Sequence, residues 1–198
     1  MSAVLAALMV ASPLWLATRA AGVISFVLLT ASFGLGLAAT RRGLASRRWP
    51  RFATQQLHRN ITLLALVFLV VHVVTTVLDS YVHVGWLAWL VPGVSGYLPL
   101  AVGLGTVAFD LVAVLVVTSL LRRRMTGRTW RLIHGAAYLA WPLAFLHFLL
   151  AGTDAASGGW GAYLAGGSLM VLGLAAGTRW LVPDQRERPL ASVVGGHR

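Results

Sequence analysis

The sequence predicts an all-α integral membrane protein, a single bundle of five membrane-crossing helices. Three observations lead there. Of 198 residues, 58% are hydrophobic and only 11% are charged, against about a quarter charged in a soluble domain, and the mean hydropathy is +0.80. Five stretches reach the roughly 20 mostly apolar residues that a membrane-crossing helix needs. The arginines, finally, alternate in density from one connection to the next.

Taken in order, residues 1–13 are apolar but short and end in Pro13. Without a basic leader they read as an interfacial lead-in, not as a signal peptide. Spans are expected near 14–39, 56–78, 98–121, 130–151 and 161–182, all inside one membrane domain over 14–182, and 183–198 reads as a disordered cytoplasmic tail. The connection 80–97 is too short in its apolar part to cross, and is expected to lie on the membrane as a cap. Span five carries Gly173 and Gly177 at a small-xxx-small spacing that permits close helix approach.

All 16 basic residues are arginine, and 15 of them fall between spans one and two, around the join of spans three and four, or after span five. The other two connections carry Asp79 and Asp154 instead. The positive-inside rule then puts the N-terminus outside and the C-terminus in the cytoplasm. The net charge of +11 is thus topogenic and suited to anionic lipid, and nucleic acid is excluded as a partner. Tryptophans 15, 49, 86, 89, 130, 160 and 180 lie near the expected interfaces, where the indole is favoured. The chain has no cysteine, which removes disulfides, thiolate metal sites and cysteine-ligated iron–sulfur clusters.

Histidine carries the functional signal. His197 lies in the tail and His83 in the 80–97 connection, where a solvated or structural role is the plain reading. The other four sit in two spans: His58 and His72 in span two, His134 and His147 in span four. The spacings of 14 and 13 residues are about 21 Å and about 19.5 Å along a helix. Both spans run the same way, so the four imidazoles fall on two levels, two per level. A pair of imidazoles from facing helices is what a six-coordinate haem iron takes, and a bundle core is where such a group is held. Rotation favours the first pair over the second. Fourteen residues return to within about 40° of the same face, whereas thirteen miss by about 140°. Pro142 lies between His134 and His147, and a kink there is expected to re-aim one half of the helix.

The stretches LHRNITLLALVFLVVH, 57–72, and WRLIHGAAYLAWPLAFLH, 130–147, resemble the ferric reductase-like transmembrane domain. That superfamily includes ferric reductases, the membrane part of NADPH oxidases and the haem subunit of the bacterial methionine sulfoxide reductase system. The resemblance extends over about residues 15–182. It implies two b-type haems between spans two and four, with His58 and His134 on the inner haem iron and His72 and His147 on the outer one. It also implies electron transfer across the plasma membrane, from a cytoplasmic flavin reductase or quinol to an extracytoplasmic acceptor such as ferric iron, oxygen or a reductase. The likeness is to stand-alone bacterial members. Only about 16 residues follow span five, too few for a dinucleotide-binding βαβ unit, so no FAD or NAD(P) site is expected.

Haem carries propionates, and Arg59, Arg131 and Arg19 are the candidates to hold them by charge-assisted hydrogen bonds. Arg59 follows His58, and Arg131 precedes His134 by three residues. Arg19 is the one arginine near the outer side, where an alternative role is to offset Asp110 of span three as a buried pair. Two readings from other classes stand beside the electron conduit: a transporter whose histidines bind metal or relay protons, and a non-catalytic membrane scaffold subunit.

Overall fold

A computed structural model describes residues 13–39, 51–80, 82, 84–156 and 158–181. The lead-in at 1–12, the arginines between 41 and 48, Tyr81, His83 and the tail after 181 lie outside the described residues. Five membrane-length apolar segments are present, at Pro13–Ala38, Phe52–Leu78, Pro99–Leu120, Gly127–Ala151 and Trp160–Gly177. The described residues form no strand.

Helix α1 runs Pro13–Ala39 and α2 runs Arg51–Leu78. Proline at the first position of α1 loses nothing, because that N–H has no helical partner. The two helices pack antiparallel along their full length. Their polar contacts repeat every seven residues: Thr18 O with His72 at 2.8 Å, Ser25 Oγ with Ala65 O at 3.2 Å, and Ser32 O with His58 at 3.0 Å. A seven-residue repeat is the seam of a coiled pair, and here small or hydroxyl residues occupy it. Ser25 and Ala65 are fully buried at its centre.

Past α2 the chain crosses that end of the bundle as turns at 79–98. Gly85 and Gly93 take positive φ. Thr106 donates to Ala88 O at 2.6 Å and draws the connection onto α3, Pro99–Leu120. Trp86, Leu87 and Leu90 remain exposed, as suits a cap lying at the membrane surface. A single 3₁₀ turn, Arg122–Arg124, leads to the fourth span.

Span four is two helices, α4 at Gly127–His134 and α5 at Ala137–Ala151. Thr126 caps α4, its hydroxyl accepting from Thr129 N at 3.2 Å. The join at Gly135–Ala136 is tightened by three-residue bonds, Ala136 N to Ile133 O at 2.9 Å and Leu139 N to Ala136 O at 3.0 Å among them. Such a turn advances about 20° more per residue than an α-helix, which recovers part of the rotation that a thirteen-residue step lacks. The sequence places this correction at Pro142. The structure carries α5 through Pro142 unbroken and tightens the helix beside His134, where Gly135 has no side chain to resist.

After the four-residue α6, Thr153–Ala156, α7 at Trp160–Leu181 packs on α1. Side chains built at Gly173 and Gly177 would meet open space, so this pair mediates no close helix approach. The core lies where α1, α5 and α7 meet: Phe26, Trp141 and Leu172 are buried, with Phe33, Phe145 and Phe148 against them. Trp141 satisfies its indole N–H on Thr30 Oγ1 at 3.0 Å.

The Ala65 position has no room for a larger side chain, whereas Val67 on the same helix is 59% exposed. Ala65→Leu is expected to destabilise the protein by about 1–3 kcal/mol. Val67→Leu should leave it unchanged, with thermal unfolding followed by circular dichroism as the measurement.

Candidate functional site

The four span histidines meet as two pairs. The His58 and His134 ring centres are 6.4 Å apart with planes at 76°, and those of His72 and His147 are 6.2 Å apart at 70°. A metal bound end-on by two imidazoles at about 2.0–2.1 Å separates their ring centres by about 6.2–6.4 Å, taking each ring nitrogen as about 1.1 Å from its centre. Both pairs are at that spacing. Helices α2 and α5, which carry three of the four rings, face one another without packing extensively together. At the His72–His147 level both helices line one cavity.

Three of the rings are locked from behind. His72 Nδ1 donates to Thr18 O at 2.8 Å, His147 Nδ1 to Ala101 O at 2.7 Å, and His58 Nδ1 to Ser32 O at 3.0 Å. A carbonyl only accepts, so Nδ1 carries the proton and Nε2 is left unprotonated, the tautomer that binds a metal. A carbonyl behind the ring also fixes its orientation and strengthens the ligand.

Each of these carbonyls is followed four residues later by glycine. A Cβ at Gly22 would lie 2.8 Å from His72 Nδ1, one at Gly105 would lie 2.6 Å from His147 Nδ1, and one at Gly36 would lie 3.8 Å from a His58 ring carbon. At Gly22 and Gly105 no side chain fits while the ring keeps its carbonyl. The sequence reading misses these glycines. Their signal is legible afterwards: Thr18/Gly22 and Ser32/Gly36 repeat at 14 residues, the same step as His58 and His72.

His134 differs. Its ring stacks on Trp130, with centres 4.7 Å apart and planes 18° apart, and its Nδ1 is buried with no hydrogen-bond partner among the described residues.

A cavity of about 300 Å³ opens at the end of the bundle covered by the 79–98 connection, lined by Trp15, Arg19, His72, Phe109, His147 and Asp154 among others. Arg19 pairs with Asp154 and stacks over Trp15, its Cζ 4.9 Å from the ring centre. The Arg19–Asp110 pair considered from sequence is therefore not formed. Asp110 lies about 16 Å along α3 from Pro99, whereas Asp154 follows α5 at the same end as Arg19. Arg59 and Arg131 are exposed at the opposite, arginine-rich end with Arg122–Arg124 and Arg128. No group of three or more His, Cys, Asp or Glu side chains gathers into a metal site among the described residues.

The residues present fit an iron-centred group: paired imidazoles at metal-bridging distance on both levels and, at the His72–His147 end, glycines that leave room for the rings and an open cavity lined by an arginine.

A double-mutant cycle on Arg19→Gln and Asp154→Asn is expected to show coupling of about 1 kcal/mol in thermal or denaturant unfolding. The same cycle with Asp110→Asn in place of Asp154→Asn should show none.

Comparison with known proteins gives one family. The model described as "ferric reductase like transmembrane component" matches residues 21–151, a span that holds all four histidines and the three glycines behind them. No curated protein and no solved structure matches. The chain belongs to the ferric reductase-like transmembrane component family.

Proposed function

We propose that this ferric reductase-like component carries single electrons across the plasma membrane through two bis-histidine b-type haems. Its donor is a cytoplasmic flavoprotein or quinol, and its acceptor lies on the extracytoplasmic side. The observation that supports this most directly is the pair of imidazole couples at 6.4 Å and 6.2 Å, three of whose rings are tied through Nδ1 to helix carbonyls. Neither proton relay nor structural packing calls for two such couples at metal-bridging spacing on two levels.

Haem b, bound at each level, would supply a one-electron carrier. The protein's residues supply the rest. His58 and His134 would hold it at the arginine-rich end, which the positive-inside rule assigns to the cytoplasm. His72 and His147 would hold it at the other. Thr18, Ser32 and Ala101 hold the rings through their carbonyls, and Gly22 and Gly105 leave the room that the His72 and His147 rings need. The aromatic core around Phe26 and Trp141 excludes water between the two levels. Arg19, paired at the cavity rim, is placed to hold a carboxylate of the outer group. Arg59 and Arg131 take the same part at the cytoplasmic end.

The test is a visible spectrum of the purified protein, oxidised and dithionite-reduced, with haem quantified per chain. Two low-spin b-type haems per chain are expected, falling to one in His72→Ala or His147→Ala. A folded, haem-supplied preparation that binds none would return the histidines to metal, proton or structural roles. Gly105→Ala should also remove one haem, because the added methyl occupies the space of the His147 ring. Gly173→Ala, at an open position, should retain both.

A further inference from the structure

The four ligand histidines are not equivalent, and the exception has its own built surroundings. His58, His72 and His147 each have a helix carbonyl behind Nδ1 and a glycine four residues beyond it. Thirteen residues separate His147 from His134, so the matching step along antiparallel α3 runs from Ala101 and Gly105 to Val114 and Thr118. The register thus sets threonine where the other ligands have glycine. Thr118 also donates its own hydroxyl to Val114 O at 2.7 Å, taking the lone pair that the other three carbonyls offer to a ring, and no hydrogen bond holds His134 Nδ1 among the described residues.

Something else must hold that ring. Trp130, one turn earlier on α4, lies nearly parallel to it at 4.7 Å, and the Arg122 guanidinium sits over the Trp130 ring at 4.3 Å. The indole ring thus contacts both an imidazole and a guanidinium. Trp130 Nε1 is itself buried with no hydrogen-bond partner among the described residues. A buried indole N–H ordinarily finds an acceptor, so the indole is kept in place by these ring contacts and not by its polar edge.

We propose that Trp130 is the positioning residue of His134: by stacking, it does for this ligand what the carbonyl and glycine pairs do for the other three, and Arg122, against the same indole, fixes it in turn. This deepens the haem reading of the same site and rests on it. Two physical consequences follow. A ligand without an Nδ1–H···O=C bond is less basic, and a guanidinium against the Trp130 ring is a fixed positive charge; both favour the reduced iron at this level. The stack also sets the ring plane by area contact, which a smaller aromatic ring preserves and an aliphatic side chain does not.

The experiment uses the full chain, purified with haem supplied, read by low-temperature electron paramagnetic resonance and by an optical redox titration. Neither is an activity measurement. His134→Ala and His72→Ala assign the two low-spin signals. Trp130→Phe should keep both signals. Trp130→Ala should lose the signal that His134→Ala removes and retain the one that His72→Ala removes, the latter showing that the bundle has folded. Arg122→Gln should keep both haems and lower the midpoint potential of the His134 level alone. The proposal is overturned if Trp130→Ala retains both signals at wild-type potentials. It is equally overturned if Trp130→Phe loses the signal as fully as Trp130→Ala, or if Arg122→Gln leaves the potential unmoved; these two variants decide the matter should Trp130→Ala fail to fold. A wild-type chain that binds no haem would defeat the underlying reading, an outcome visible before any variant is made.

Discussion

A helix carbonyl already bonded to the N–H four residues on still has a lone pair, and in three places here an imidazole Nδ1–H takes it. To reach that lone pair, a ring must pass where the side chain four residues further along the helix would begin. At Gly22 and Gly105 glycine is the steric condition for the bond, as the 2.8 Å and 2.6 Å approaches make plain, whereas the 3.8 Å approach at Gly36 is ordinary contact. Once both conditions hold, the ring can neither rotate nor exchange tautomers without leaving a buried donor unmade, a loss of about 1–3 kcal/mol.

That bond sets the architecture around it. Two carbonyl tethers 14 residues apart on α1 must meet two histidines 14 residues apart on α2, which holds the pair antiparallel and in one register. Helix α3 holds α5 in the same manner through Ala101 and His147. The histidine-bearing helices are thus each anchored to a different backing helix. They need not pack on one another, and the cavity that both line persists without a side chain to fill it. The cost is an exposed outer face on α2, where Leu63, Leu64, Val67, Val70 and Val74 are about half uncovered. In a bilayer such a face meets lipid at no penalty.

The spans and the pairing of the four histidines were legible because they rest on one-dimensional signals: apolar length and a residue type rare in hydrocarbon. The glycines were not, because glycine is common in membrane helices and its meaning depends on what lies across the interface. Gly173 and Gly177 match the small-xxx-small pattern and face open space, whereas Gly22 and Gly105, which complete the same spacing with Thr18 and Ala101, are the ones that the rings opposite require. The aim of His147 was likewise hidden, since an ideal helical wheel ignores the tightened turn at Gly135–Ala136 that reshapes the path from His134. The pairing of Arg19 failed for a simpler reason. Depth estimated along separate helices gives no account of the α5–α6 turn, which brings Asp154 back to the level of Arg19.

That ion pair belongs to the same logic as the tethers. Arg19 follows Thr18, whose carbonyl holds His72, and Asp154 lies seven residues after His147. The bridge therefore joins the segment whose carbonyl holds His72 to the segment that follows His147, and does so at the cavity that both rings line. Both side chains are only partly exposed, so the charges sit where some water remains and full desolvation is avoided. A charge pair further in would cost more, and one further out would hold less. Placed at the rim, it closes the bundle over the His72 and His147 rings while leaving a cation beside the cavity mouth, where an anionic edge of a bound group would meet it.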